Sequence, residues 1–179
     1  MKSISTKTGD RGKSGLISGE RMSKDASFFE AIGSVDELNS WLGYVVSQFD
    51  SNFPQDKRFL LKVQNTLFYL GAELAKSPKV KLTSQHLKDL ELRAIDLELK
   101  LKASWHNKFL LPGGTELAGV LDITRAICRR TERVLVAHSK NAKVRPLILK
   151  YLNRLSDYLY LLRTYVNAQY EYGEREFNS

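Results

Sequence analysis

Apolar residues recur at spacings of three and four along most of the chain, from about residue 26 onward. This spacing places one apolar stripe on an α-helix, and the stripe packs against a core. The stripes cover residues 35–49, 60–74, 87–101, 117–134 and 148–166. Alternation with a period of two, the pattern of a strand, is not sustained anywhere. The sequence therefore predicts an all-α fold, a five-helix bundle over residues 26–170.

Helix-breaking and capping residues lie between these stripes. Pro54 is suited to the first turn of the second helix, and Ser77-Pro78 is expected to end it. Thr83 is a candidate N-cap for the third helix. Pro112-Gly113-Gly114 predicts a turn, after which Thr115 caps the fourth helix. The helix boundaries thus have local chemical causes.

Both ends of the chain differ in composition from the helical region. The N-terminal loop, residues 1–25, contains STKTGDRGKSG at 5–15, which is rich in glycine, lysine and hydroxyl groups. Such residues suit a phosphate, but a P-loop would require glycine at position 7, where this chain has Lys7. On composition alone, a triphosphate loop of another design and a flexible arm both fit. The C-terminal tail, residues 171–179, is polar and expected to be mobile.

Composition fits one globular domain: 179 residues, of which 42% are apolar and 27% are charged. No apolar run approaches the ~18 residues of a membrane span. The first 25 residues lack the apolar stretch of a secretory signal. The single cysteine, Cys128, has no partner for an internal disulfide, which suits a reducing compartment. We expect a cytoplasmic location and no membrane partner.

A net charge of +8 favours polyanionic partners, and the block RAICRRTER at 125–133 concentrates that charge. Arg125, Arg129 and Glu132 share one helix face, since they stand at i, i+4 and i+7. A solvated basic face is the ordinary interpretation. The embedded glutamate favours a ligand site, and so does the polar pair Asn153 and Asp157 in the next helix. An ion-pair network between subunits fits the same pattern.

Several other candidate sites were weighed in the same way. The chain has no Glu-x-x-His pair, CxxC or HExxH motif, so a protein-bound transition metal is not expected. Asp36 and Glu37 are explained by the dipole of the first helix, or Asp36 pairs with an arginine of the fourth. Phe109, in HNKFLLPGG, is either a core residue or a wedge against a flat ligand.

Several blocks occur in an order typical of one family. TKTGDRG, GERMSKD and GSVDELNSWLG come first, FLLPGG and RAICRRTER follow, and YLNRLSDYLYLLR closes the series. Together they resemble the ATP:cob(I)alamin adenosyltransferases of the propanediol-utilisation type, from about residue 4 to about residue 166. The resemblance implies a homotrimer with active sites between neighbouring subunits. It also implies that Co(I) of a reduced corrinoid attacks the 5′ carbon of ATP, so that adenosylcobalamin forms and Mg²⁺-bound triphosphate leaves.

The resemblance further assigns residues to parts of that site. The N-terminal loop would bind triphosphate through Thr6, Lys7, Thr8, Gly9, Ser14, Gly15 and Lys24. The fourth helix would bind nucleotide through Arg129, Arg130, Thr131, Glu132 and Arg133, and the fifth through Asn153. Asp36 and Arg125 would form an ion pair between subunits on the corrinoid side. Phe109 would displace the lower axial ligand of cobalt.

This chemistry explains why no catalytic triad is visible. Cobalt is the nucleophile and no proton is removed, so the protein supplies positioning and positive charge near the departing triphosphate. The expected partners are a second and third copy of the chain, ATP, a corrinoid, and a cobalamin reductase or an adenosylcobalamin-dependent enzyme. Two other classes remain as alternatives: a non-catalytic ATP- or corrinoid-binding oligomer, and a basic helical protein that binds nucleic acid.

Overall fold

The computed structural model describes residues 5, 7–16, 19–101 and 109–177, and five α-helices dominate it. The helices are α1 (Ser27–Gln48), α2 (Pro54–Leu74), α3 (Ser84–Lys100), α4 (Glu116–His138) and α5 (Pro146–Gln169). Each predicted apolar stripe falls on one of them, although the last residues of two stripes, Phe49 and Leu101, are the residues just after α1 and α3. The five-helix fold is therefore confirmed. No helix in the described ranges is both long enough and apolar enough to cross a bilayer.

Three predicted boundary residues, Pro54, Thr83 and Thr115, lie at helix starts, whereas α2 ends at Leu74, before the predicted stop at Ser77-Pro78. Pro54 is the first residue of α2, where its missing N–H costs no hydrogen bond. Thr83 forms a capping box with His86, whose Nδ1 accepts from the Thr83 N–H at 3.1 Å. The Thr115 hydroxyl accepts from the N–H of Ala118 at 3.2 Å and so caps α4.

Helix α4 lies at the centre of the bundle, because it packs against both α1 and α5. Helix α3 covers the other side of α5, and α2 packs against α1. The core between them consists mainly of leucines from the predicted stripes, such as Leu38, Leu121 and Leu155, which are fully buried. Burial of these side chains is the main source of stability.

The N-terminal loop contains two short strands that the sequence pattern did not predict. Strands β1 (Lys13–Gly15) and β2 (Arg21–Ser23) pair antiparallel. The Arg21 guanidinium fastens them by donating to the carbonyls of Thr8 and Lys13. Three residues per strand are too few for alternation to stand out from a glycine-rich stretch. The fold is therefore helical with one small hairpin.

The described part of the C-terminal tail, which we expected to be mobile, has specific partners. The Phe177 N–H donates to the carbonyl of Phe109 at 2.8 Å, and the Leu111 N–H donates to the carbonyl of Arg175 at 2.8 Å. The tail thus runs antiparallel to residues 109–111, bridged at Leu110 and Glu176. Backbone pairing of this kind cannot be read from a short polar stretch.

Cys128 provides a test of the α4–α5 packing. Its thiol is fully buried and donates to the carbonyl of Leu152 at 3.3 Å. Burial, followed by the carboxylates of Glu132 and Asp157, raises the pKa of the Cys128 thiol, and the thiolate is the reactive form. We expect an aromatic disulfide reagent to label native protein only at the rate of unfolding, and to label denatured protein at once. Rapid labelling without denaturant would contradict this packing.

Candidate active site

A cleft of about 360 Å³ lies where α3, α4 and α5 meet. Its walls are formed by Glu98, Arg125, Arg129, Ser156, Asp157, Tyr160 and Leu161. Arg125 and Arg129 are one helical turn apart on α4, so both side chains reach the same cleft. Two guanidinium groups face two carboxylates here, which suits a ligand that carries both negative charge and hydrogen-bond donors.

Arg125 is held in the cleft by contacts with Tyr160 and Asp122. Its guanidinium carbon lies 6.0 Å from the centroid of the Tyr160 ring, and its Nε lies 3.6 Å from Oδ1 of Asp122. That Nε is buried without a hydrogen bond. Arg129 is exposed and forms no ion pair within the described ranges. Arg129 therefore has donors available for a ligand, whereas the unpaired Nε of Arg125 is shielded from solvent.

The polar stripes of α4 and α5 meet beside the cleft, as the sequence suggested. The Asn153 amide donates to Oε1 of Glu132 at 3.4 Å, and Arg154 donates to Oδ1 of Asn153 at 2.9 Å. The Nη1 of Arg154 also lies 3.6 Å from Oδ2 of Asp157. These contacts give Asn153 and Glu132 fixed places one turn beyond Arg129.

Two residues of the predicted nucleotide stretch face away from the cleft. Arg130 forms an ion pair with Glu37 of α1. Thr131 is fully buried, and its hydroxyl donates to the carbonyl of Ser34 at 3.0 Å. Thr131 continues the apolar stripe of α4, so it faces the core, and we correct its assignment from ligand contact to helix packing. Arg133 is exposed.

The N-terminal loop brings some predicted phosphate ligands together. Lys24 Nζ lies 3.1 Å from the position that a Cβ would occupy on Gly9, so the ammonium rests against this glycine. Lys7 has a positive φ of 56°, as in a tight turn. Ser14 and Gly15 lie in β1. Thr8 is exposed. Thr6 lies outside the described residues.

Phe109 is 85% exposed and is not a core residue. It pairs with Phe177 across the antiparallel contact, and alternation along an extended backbone puts Leu111 on the same face. All three apolar side chains are exposed. The sequence analysis missed Phe177, although a phenylalanine in an otherwise polar tail was a signal. The result is an apolar surface suited to a flat, hydrophobic ligand.

Outside the cleft, the predicted site residues are spread over three further regions of one chain. The Phe109 face lies near the start of α4, where Gly113 contacts Asp122. The N-terminal loop joins α1 near the end of α4, because the Ser27 hydroxyl lies 3.0 Å from Nδ1 of His138. The 23 residues of α4 separate these ends by roughly 33 Å.

Asp36 lies in a third region, a mainly apolar groove between α1 and α2. It is exposed, and it forms no ion pair within the part of the chain that the structure describes. The predicted pairing of Asp36 with Arg125 is therefore not seen inside one chain, where Arg125 lies beside Asp122 instead. The described residues also contain no group of three or more histidine, cysteine, aspartate and glutamate side chains suited to a metal ion.

A family model described as cobalamin adenosyltransferase matches residues 4–166. The chain belongs to this family. A corrinoid adenosyltransferase of Bacillus subtilis is 40% identical over 96% of this chain and 90% of its own length. The human corrinoid adenosyltransferase is 37% identical, over 90% of this chain and 68% of its own length.

Solved structures of the adenosyltransferase family agree with this fold over the whole chain. A PduO-type ATP:corrinoid adenosyltransferase from Lactobacillus reuteri, in a phenylalanine-to-alanine variant complexed with cobalamin and ATP, superposes with a TM-score of 0.91. It is 31% identical, and the match covers 99% of this chain and 100% of that chain. The family predicted from the sequence blocks is therefore confirmed.

Proposed function

We infer that this chain is an ATP:corrinoid adenosyltransferase, which transfers the 5′-deoxyadenosyl group of ATP to the cobalt of reduced cob(I)alamin and releases triphosphate. Family membership over residues 4–166 carries this conclusion. The cleft adds physical support, because it is lined by two arginines, of which Arg129 is exposed and has donors available for an anionic ligand. The chain does not need an acid–base pair for this reaction.

The test is direct conversion. Purified protein, chemically reduced cobalamin, ATP and Mg²⁺ are mixed without oxygen, and adenosylcobalamin is followed by its absorption spectrum. We expect one adenosylcobalamin and one triphosphate per ATP consumed, and no product with ADP in place of ATP. Binding of ATP and cobalamin without conversion would contradict the enzyme and favour a binding protein.

We propose that Arg129, with Arg133 and the N-terminal loop, stabilises the departing triphosphate. In the reaction the cobalt electron pair forms the Co–C bond, and the electrons of the breaking C–O bond leave with triphosphate. Negative charge therefore grows on the leaving oxygen, where guanidinium groups, lysines and backbone N–H groups are most effective. Mg²⁺ would be bound by the phosphate oxygens. Glu132 and Asn153 stand where they can orient the nucleoside.

We propose that a complete active site forms between neighbouring chains of a homotrimer. The Phe109 face, proposed for the corrinoid, and the N-terminal loop, proposed for triphosphate, lie near opposite ends of α4, which favours a site that takes these two parts from different chains. Asp36 and Arg125 support the same idea. Asp36 forms no ion pair within the described residues, and the Nε of Arg125 has no hydrogen bond there. A neighbouring chain that places its Arg125 against the α1–α2 groove would satisfy both.

A charge exchange tests that contact. Asp36→Arg alone should bring two cations together, dissociate or distort the trimer, and lower adenosylation by about tenfold or more, as for breaking a desolvated ion pair. The double variant Asp36→Arg/Arg125→Asp should recover the trimer, measured by light scattering. Glu37→Arg/Arg130→Glu is the matched control within one chain, and we expect it to remain trimeric. No recovery in the Asp36 and Arg125 double variant, with Asp36→Arg dissociated, would contradict the pairing.

A further inference from the structure

Arg163 of α5 is among the largest fully buried side chains in the described part of the chain, with 1% of its surface exposed. Its Nε donates to Oδ2 of Asp122 at 3.0 Å, and its Nη1 donates to Oε1 of Glu174 at 2.7 Å. Its Nη2 donates to the carbonyls of Leu111 and Gly113 at 2.9 and 3.0 Å. One guanidinium thus joins α4, α5, the segment before α4 and the C-terminal tail.

The partners of Arg163 are connected to both halves of the proposed site. Asp122 accepts from the backbone N–H of Gly113 at 2.8 Å, and its other oxygen lies 3.6 Å from Arg125 in the cleft. Glu174 also accepts from the amide of Asn167 at 3.1 Å, and the tail then continues to Phe177. The buried Arg163 and two carboxylates, Asp122 and Glu174, therefore lie between the cleft and the apolar face.

Besides Arg163, segment 109–113 is held by Asp122 at the Gly113 N–H, by the Asn167 amide at the Gly113 carbonyl (3.1 Å) and by the backbone of the tail. Gly113 and Gly114 have φ angles of 121° and 119°, so the chain turns sharply just before α4. The Asn167 side chain leaves no room for a Cβ on Gly114. Phe109 itself is exposed and makes its described backbone contact with Phe177 of the tail. The place of the phenyl ring therefore depends on how the turn and the tail are fastened to the bundle.

We propose that Arg163 is a positioning residue that sets the location of Phe109 by fastening residues 109–113 and the tail to α4 and α5. This rests on the proposed function of Phe109. Arg163 lies in the core and need not contact the corrinoid. It acts through the carbonyls of Leu111 and Gly113 and through Glu174. Loss of the guanidinium removes the donor to Leu111, and it leaves Gly113 and Glu174 with only the amide of Asn167 as a side-chain donor.

The kinetic test compares Arg163→Lys and Arg163→Met with Arg93→Met. Arg93 is a matched control, since it is mostly buried and donates to Asp56 at 2.7 Å, between α3 and α2. Starting from Co(II), adenosylation by the Arg163 variants should fall roughly ten- to a hundredfold more than from pre-reduced Co(I), as expected for a displaced aromatic ring. In Arg93→Met, the adenosylation rate should fall by the same factor from Co(II) and from Co(I). Equal losses in the Arg163 variants would overturn the proposal.

A double variant separates this proposal from the role of Phe109. If Arg163 acts through Phe109, then adding Arg163→Met to Phe109→Ala should cost little more than Phe109→Ala alone. Additive losses would show that Arg163 acts elsewhere. If Phe109→Ala alone has no selective effect, the proposed function of Phe109 fails, and the fastening role is then decided by hydrogen exchange.

Hydrogen exchange measures the fastening without substrate. In Arg163→Met, the amides of Leu111, Gly113 and Phe177 should exchange at least about tenfold faster, while those of α1 remain protected. If Arg163→Met folds poorly, Glu174→Gln is a milder variant, because glutamine keeps an acceptor oxygen at this position. In Glu174→Gln, the amide of Phe177 should be the first of the three to exchange faster. Unchanged exchange of the three amides in both variants would overturn the proposal.

Discussion

Replacement of Arg129 by alanine should lower adenosylation at limiting ATP by about 10²- to 10³-fold, the loss typical when one donor to a developing anion is removed. Arg129 lines the cleft one turn from Arg125 and has no ion-pair partner in the described ranges. Its charge is thus available to the ligand rather than used in the fold. The oligomeric state and the melting temperature should change little, because an exposed side chain contributes little to packing.

The measurement is kcat/KM for ATP at saturating reduced cobalamin, with oligomeric state checked by light scattering. Arg58→Ala is the matched control, as an exposed arginine on α2 outside the cleft, and it should retain wild-type kinetics. Arg129→Lys should recover part of the activity, since a lysine keeps the charge but not the planar pair of donors. Wild-type kinetics for Arg129→Ala at both low and saturating ATP would refute its assignment.

Replacement of Phe109 by alanine should slow adenosylation mainly when the corrinoid is supplied as Co(II). An aromatic ring against the lower face of the corrin would keep a ligand off that face, and four-coordinate cobalt is easier to reduce. Phe109 is 85% exposed, so the ring is free to be buried by a substrate. Burial of a phenyl group is worth about 1.5–3 kcal/mol, or roughly ten- to a hundredfold in rate.

The experiment compares initial rates from Co(II) with a reductant present and from pre-reduced Co(I). Leu61→Ala removes an exposed apolar side chain from α2 and serves as the control, with equal rates expected from both states. The Phe109→Ala protein should keep its melting temperature, because little of the ring is buried within the chain. Equal losses from both starting states would remove the proposed role of Phe109.

The helical architecture was predictable because its causes are local. Apolar spacing fixed which face of each helix is buried, and Pro54, Thr83 and Thr115 placed the boundaries through backbone hydrogen bonding that involves only a few neighbouring residues. The family blocks likewise lie within short stretches. For this reason the sequence alone pointed to five helices, to the arginine-rich face of α4 and to the adenosyltransferase family.

The tertiary structure decided what depends on residues far apart in the chain. Thr131 belongs to the arginine block in sequence, yet its hydroxyl donates to the backbone carbonyl of Ser34 in α1. Phe177 meets Phe109 through a backbone hydrogen bond across 68 positions (177 minus 109). Arg163 is a charged residue in an apolar stripe, and its acceptors come from three other regions of the chain. Periodicity records which face of a helix is buried, but the partners of that face are set only when the helices pack together.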